Sequence, residues 1–251
     1  RRELRSRLRL ALPVILAEIG WVAMGIVDTW MVGRLGPAAI GAVGIGASLF
    51  LAIVIFGMGL LLGLDTVVSH AFGAGRLDEC RAWLRHGLWL GGFVAVPLGA
   101  VAWVAIWALP RWGLSDEVLA LTTPYLGVVS WSVVPLLAYA AFRRYLQAVN
   151  LCGPVTVALV TANLVNVAAN WLLIFGNLGA PALGVVGAAW ATLGSRAWMA
   201  AVLGVAVWRH VAQTRDRSAA AAPRWPQRWR LRRLVQLGLP AATQVTLEVG
   251  A

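Results

Sequence analysis

Four stretches of this sequence carry no aspartate, glutamate, lysine or arginine: residues 35–64, 86–110, 118–142 and 145–195. The last is divided by the turn-forming "GNLGAPALG" at 176–184. A helix needs about 20 apolar residues to cross the hydrocarbon core of a bilayer. Strands that span a membrane alternate polar and apolar residues, and these runs do not, so helices are the expected spanning form. The composition agrees, with 60% hydrophobic and 12% charged residues. A soluble domain of this size needs more polar surface. The reading is an all-α membrane protein with six transmembrane helices near 10–32, 39–69, 86–109, 119–141, 155–175 and 185–208. A seventh is expected to start near 234.

The net charge of +11 would suggest nucleic acid as partner in a soluble chain, but its placement excludes that here. Five arginines fall in residues 1–9 and eight in 209–233; Arg76, Arg81 and Arg85 lie in a 71–85 connection, and Arg143 and Arg144 follow the fourth span. The alternate connections hold Arg34 alone, Arg111 with Asp116 and Glu117, and no charge. Basic residues mark cytoplasmic loops, so the N-terminus and the 209–233 segment are expected on the cytoplasmic side. There "RWPQRWRLRR" would rest against anionic headgroups of the lipid bilayer. The basic N-terminus with its apolar run also resembles a signal peptide, but the run is too long and five spans follow it. The two cysteines, Cys80 and Cys152, both fall on the cytoplasmic side and imply no disulfide framework.

"LRSRLRLALP" (4–13) and "LRRLVQLGLP" (231–240) share five residues at an offset of 227. Six spans lie between them, so both copies enter the membrane in the same direction, as in parallel-repeat transporters. A generic basic, Leu-Pro helix start would give the same pattern. If the repeat is real, residues 1–208 form one six-helix lobe, 209–233 an inter-lobe loop, and 234–251 the start of a second lobe. The absence of an initiator methionine fits such a truncation.

The polar residues within these spans are the functional candidates, because a carboxylate at the bilayer centre costs about 2.5–3.5 kcal/mol even on insertion scales. Glu18, Trp21, Gly25 and Asp28 step by three or four residues and share a face of the first helix. Two acids beside an aromatic plane suit a cation; solvation of Asp28 near the interface and a structural hydrogen bond for Glu18 are the plainer alternatives. Asn163, Asn166 and Asn170 share a face of the fifth span, where amides also serve as interhelical glue. Thr192 and Arg196 share a face of the sixth, and Arg196 needs an acid partner (Asp28, Glu18 or Asp65) or water. Glu248 is an acid within the seventh span. Pro13 and Pro240 lie in the first turns of their helices, and "GIGAS" (44–48) and "GMGLLLG" (57–63) are expected packing faces. No Walker loop, HExxH or metal-spaced Cys/His cluster occurs, which leaves ATP-driven transport without a motif.

These residues resemble the multidrug and toxic compound extrusion (MATE) family, in its NorM-like branch. "LALP…MGIVDTWMVGRLGPAAIGAVGIG" (10–46) resembles its first helix and the entry to the second. "GLDTVVSHAFGAGR" (63–76) resembles its Ser-Gln-x-x-Gly-Ala-Gly segment, with His70 in place of Gln. "RRYLQAVNLCGP" (143–154), "NLVNVAANWLLIFGNLGAPALGVVGAAWAT" (163–192) and "GLPAATQVTLEVG" (238–250) are similar to later segments. The resemblance implies the N-terminal lobe of a twelve-helix fold that exports cationic amphipathic compounds by antiport with Na⁺ or H⁺, without a cofactor and not as an enzyme. It implies a multi-pass protein of the bacterial inner membrane whose C-terminal lobe is missing from this chain. Asp28 falls on the family's cation-coupling aspartate, a possible Na⁺ ligand. Asn166, Asn170 and Thr192 fall on polar residues of the same site, and Glu248 on a carboxylate of the second lobe. Asn170 matches the NorM-like rather than the DinF-like branch. A lipid-linked precursor flippase of the same superfamily is the alternative, but it would need a strongly basic cavity. An intramembrane aspartyl dyad of Asp28 and Asp65 lacks the Gly-x-Gly-Asp form.

Overall fold

The computed structural model describes residues 20, 22–214 and 225–250, the last two of these by backbone alone. Glu18, Trp21, Pro13 and the first copy of the repeat lie outside the described residues. Nine helices are described: α1 (22–32), α2 (Pro37–Leu60), α3 (Gly63–Gly73), α4 (Leu77–Ala108), α5 (Asp116–Ser130), α6 (Val133–Ala148), α7 (Gly153–Phe175), α8 (Val185–Thr214) and α9 (Arg228–Gly250). Pro37 and Pro154 each open a helix, where the missing N–H has no intrahelical partner to lose.

Four helical segments are long and apolar enough to cross a membrane, or five if the bent pair α5–α6 counts as one. The protein is thus a multi-pass helical membrane protein, with α1 only partly described.

Two expected spans are broken. The second runs from Pro37 to Gly73, but Leu61 and Leu62 separate α2 from α3. There Leu62, Leu64 and Asp65 donate their N–H groups three residues back, to Gly59, Leu61 and Leu62. The tighter winding interrupts the α-helical ladder within what remains one span. The fourth span bends by 47° between α5 and α6. Pro135 in the first turn of α6 cannot donate to the Trp131 carbonyl, which is a standard cause of a kink.

The connection expected at 71–85 is shorter than its charge pattern implied. Helix α4 starts at Leu77, and its segment runs to Trp112, 36 residues. At 1.5 Å per residue this is about 54 Å, far longer than a ~30 Å hydrocarbon core. Its charged first turns thus belong outside the apolar layer, where Arg76 pairs with Glu79 and Arg81 with Asp78, each at 3.0 Å. Arg81 also donates to the Thr214 carbonyl at 2.6 Å, a cation on the C-terminus of α8. Similarly α8 continues to Thr214 and α9 begins at Arg228, so helix intrudes on both ends of the expected 209–233 loop. Pro240 therefore sits mid-helix in α9, not in a first turn.

The helices pack as a bundle in which α8 lies against α7, α6 and α5, and α2 lies against α5, α4 and α9. Its centre is filled by Phe50, Leu126, Leu136, Leu137, Tyr139 and Leu159, all fully buried. Tryptophans 30, 103, 107, 131, 190 and 208 remain exposed, as expected of lipid-facing and interfacial positions. The small-residue faces of α2 partly fulfil their expected role. A Cβ on Gly46 would collide with Tyr125 and one on Gly57 with Leu98, whereas Gly44 has nothing within 4 Å.

Candidate polar site between the first, seventh and eighth helices

The site is set by how closely α7 and α8 come together. Gly176 ends α7 in the left-handed conformation at φ 71°, which glycine adopts without a Cβ penalty. The chain then folds back, with Leu183 and Gly184 donating to the carbonyls of Leu173 and Ile174. Gly187 lies directly on the Leu173 backbone, where any Cβ would collide. This contact brings Thr192, a turn and a half along α8, level with Asn170 on α7.

Asp28 of α1 meets both. Its Oδ1 accepts from Asn170 Nδ2 at 2.5 Å and its Oδ2 accepts from Thr192 Oγ1 at 3.1 Å. Asn170 Nδ2 also donates to Asn166 Oδ1 at 3.1 Å. All four side chains are buried: Asp28 is 7% exposed, Thr192 5%, and the two asparagines 0%. This settles one question left open by spacing alone, since Asp28 is enclosed rather than solvated.

The chemistry is that of an anion held by neutral donors. Hydrogen bonds from amides and hydroxyls stabilise a carboxylate but leave its charge uncompensated. No ion pair to Asp28 is formed among the described residues within 4.0 Å. Meanwhile Asn170 Oδ1 is buried with no hydrogen-bond partner among them, as is Asn166 Nδ2. An orphaned amide oxygen next to a carboxylate is an oxygen donor set with spare capacity, and a proton or a hard cation such as Na⁺ is the kind of ligand that suits it.

Arg196 does not clamp the acid. Its Nη1 donates to Ser132 Oγ at 2.5 Å, and its guanidinium lies over the Phe50 ring at 4.4 Å. Its charge reaches Asp28 and Tyr125 only through space. Of the partners considered for Arg196, Asp65 is engaged elsewhere, accepting from Arg144 at 3.2 Å across α3 and α6. Asp65 and Asp28 therefore form no dyad. Ser132, Phe50 and Tyr125 were missed by sequence reasoning. Pro135, which the sequence reading passed over, is the one signal that could have marked the helix break beside Ser132.

The remaining predicted residues disperse. Asn163 donates to the Gly20 carbonyl and to its own helix at Leu159, both at 2.9 Å, so it ties α7 to α1 as interhelical glue. Glu248 is exposed on α9 and, among the described residues, accepts from Gln244, one turn away, at 2.9 Å. His70 lies exposed in the last turn of α3.

Comparison with known proteins follows the same lines. A family model described as MatE matches residues 13–172. Multidrug resistance protein MdtK of Klebsiella pneumoniae (strain 342) is 37% identical over 250 residues, 98% of this chain and 54% of that protein. A probable multidrug resistance protein NorM of Mesorhizobium japonicum is 32% identical over 252 residues, with 99% and 54% covered. The chain thus spans about half the length of the curated relatives it matches. Among solved structures, the eukaryotic MATE transporter AtDTX14 superposes with a TM-score of 0.87 at 20% identity, over 99% of this chain and 54% of that one. A MOP superfamily transporter from Pyrococcus furiosus gives 0.81 at 22% identity, over 95% and 52%. These two likenesses establish the fold.

Proposed function

The chain belongs to the MatE family, and on that premise we propose that it is the first lobe of a secondary transporter that exports cationic amphipathic compounds by antiport with Na⁺ or H⁺. The second lobe is the partner missing from this chain, and the location is the bacterial inner membrane with the N-terminus in the cytoplasm. The relatives named for multidrug resistance support the substrate class. One observation supports the mechanism: a buried carboxylate, Asp28, is held by Asn170 and Thr192 with no ion pair among the described residues.

In this reading the coupling ion completes what neutral donors leave undone. Asp28 supplies the charge and Thr192 and the asparagine amides supply dipoles that keep the empty carboxylate tolerable. A coupling ion can shift the lobes between inward- and outward-open states only through different affinity in each. Opening of the α1–α7–α8 contact to water on one side would provide that difference. Arg196, fixed on Ser132 and Phe50, adds a steady positive potential that weakens ion binding enough to permit release.

The test is Asp28→Asn in the full-length protein, with efflux of a fluorescent cationic dye measured in vesicles under separate Na⁺ and pH gradients. Coupled efflux should be abolished in the variant at normal expression. Unchanged gradient-driven efflux would overturn the role of Asp28. Transport of a labelled lipid-linked precursor, with no dye efflux, would instead favour a flippase.

A further inference from the structure

Between the start of α7 and the end of α8 lies an apolar cavity of about 630 Å³, remote from Asp28. Val157, Trp198, Ala201 and Val205 line its length, and Arg209, His210 and Gln213 gather at one end. Helix α9, which packs on α2, α3 and α4, contributes nothing to it. The side chains of Val157, Trp198 and Val205 are also about half exposed, so the groove opens sideways rather than into the bundle.

We propose that this groove is a specific site for one anionic phospholipid, with its acyl chain along α8 and its phosphate at Arg209 and His210. The dimensions fit a single leaflet. Trp198 and Arg209 are eleven residues apart on one continuous helix, about 16 Å at 1.5 Å per residue. Half of a ~30 Å hydrocarbon core is about 15 Å. The deep end is closed by Trp198, whose Nε1 donates to Thr161 Oγ1 at 3.0 Å and so bridges the two helices. The shallow end is polar and basic, and no aspartate or glutamate lines the groove among the described residues.

Charge complementarity selects the headgroup. Arg209 is exposed at the mouth, where an arginine pairs with a phosphate bidentately. The neighbouring His210 keeps Nε2 buried with no hydrogen-bond partner among the described residues, and a phosphate oxygen would satisfy it. A zwitterionic lipid offers the same phosphate but adds a cation that Arg209 repels. The leaflet is the one that the arginine distribution assigns to the cytoplasm, where anionic lipids attract basic segments.

The experiment is native mass spectrometry of the full-length protein released from detergent with equimolar phosphatidylglycerol and phosphatidylcholine of matched chains. The wild-type protein should retain one phosphatidylglycerol at least about tenfold better than phosphatidylcholine, a difference of about 1.4 kcal/mol. Arg209→Gln should bring that preference close to unity. Val205→Trp, at an exposed position where folding is not at stake, should fill the groove and remove retention of both lipids. Millimolar glycerol phosphate should not displace the lipid, because it lacks the chain. Equal retention of the two lipids by wild type, an unaltered preference in Arg209→Gln, unaltered retention in Val205→Trp, or displacement by glycerol phosphate would each overturn the assignment.

Discussion

The seam between α2–α3 and α9 makes the sharpest structural prediction. A Cβ on Gly59 would lie 2.5 Å from Ala242 Cα, about 0.9 Å short of the 3.4 Å at which ordinary contact begins. A Cβ on Gly63 would meet the Leu234 carbonyl at 2.8 Å, and one on Gly238 would collide with the Leu60 backbone. These obstacles are backbone atoms, which cannot rotate aside as a side-chain tip can. Gly59→Ala therefore forces the helices apart. Overpacking of this kind costs about 1–3 kcal/mol, a roughly 5- to 150-fold change in the occupancy of the closed seam. Alanine also gains about 1 kcal/mol of helix propensity over glycine, so the control is Gly44→Ala, which takes the same gain with nothing within 4 Å. Spin labels at exposed Ser69 on α3 and Arg232 on α9, with Cys80 and Cys152 replaced, report the separation by pulsed electron resonance. Gly59→Ala should broaden the distribution and add a longer distance, while Gly44→Ala should match wild type. Identical distributions in the two variants would refute the argument that backbone contact holds the seam.

Other outcomes follow from individual hydrogen bonds. Thr192→Val keeps the shape but removes a donor to Asp28 Oδ2; the empty carboxylate becomes costlier, so the coupling ion should be held about tenfold more tightly (~1.4 kcal/mol) and turnover should fall. Thr192→Ser should restore both, as read from dye efflux against ion concentration. Ser132→Ala leaves a guanidinium N–H of Arg196 without its acceptor, a loss of about 1–3 kcal/mol that should appear as a thermal midpoint several degrees lower in detergent. Asp65→Asn breaks the 3.2 Å pair with Arg144, but these side chains are 40% and 28% exposed. Solvent screening limits the cost to about 1 kcal/mol or less, so thermal stability should barely change.

Sequence and tertiary structure divided this protein between them along a physical line. Hydropathy acts residue by residue, so the all-α membrane class, the number of apolar runs and the family segments were readable from the chain alone. Helical periodicity is also local, and it placed Asn166 with Asn170 and singled out Asp28 and Thr192 as misplaced polar groups. The breaks at Leu61–Leu62 and Trp131–Ser132 were not foreseen, because hydropathy continues unbroken through them while the backbone does not. Charge density misled at 71–85, where α4 carries its salt bridges on helix that projects beyond the apolar layer. Periodicity likewise grouped Asn163 with its two neighbours, yet packing turned it to the Gly20 carbonyl, and it placed Arg196 with Thr192, yet Ser132 and Phe50 took the guanidinium. Which donor meets which acceptor depends on distances between residues more than a hundred positions apart, as Asp28 is from both Asn170 and Thr192. Those distances follow from how close glycines such as Gly187 let two helices come, and only the folded bundle decides that.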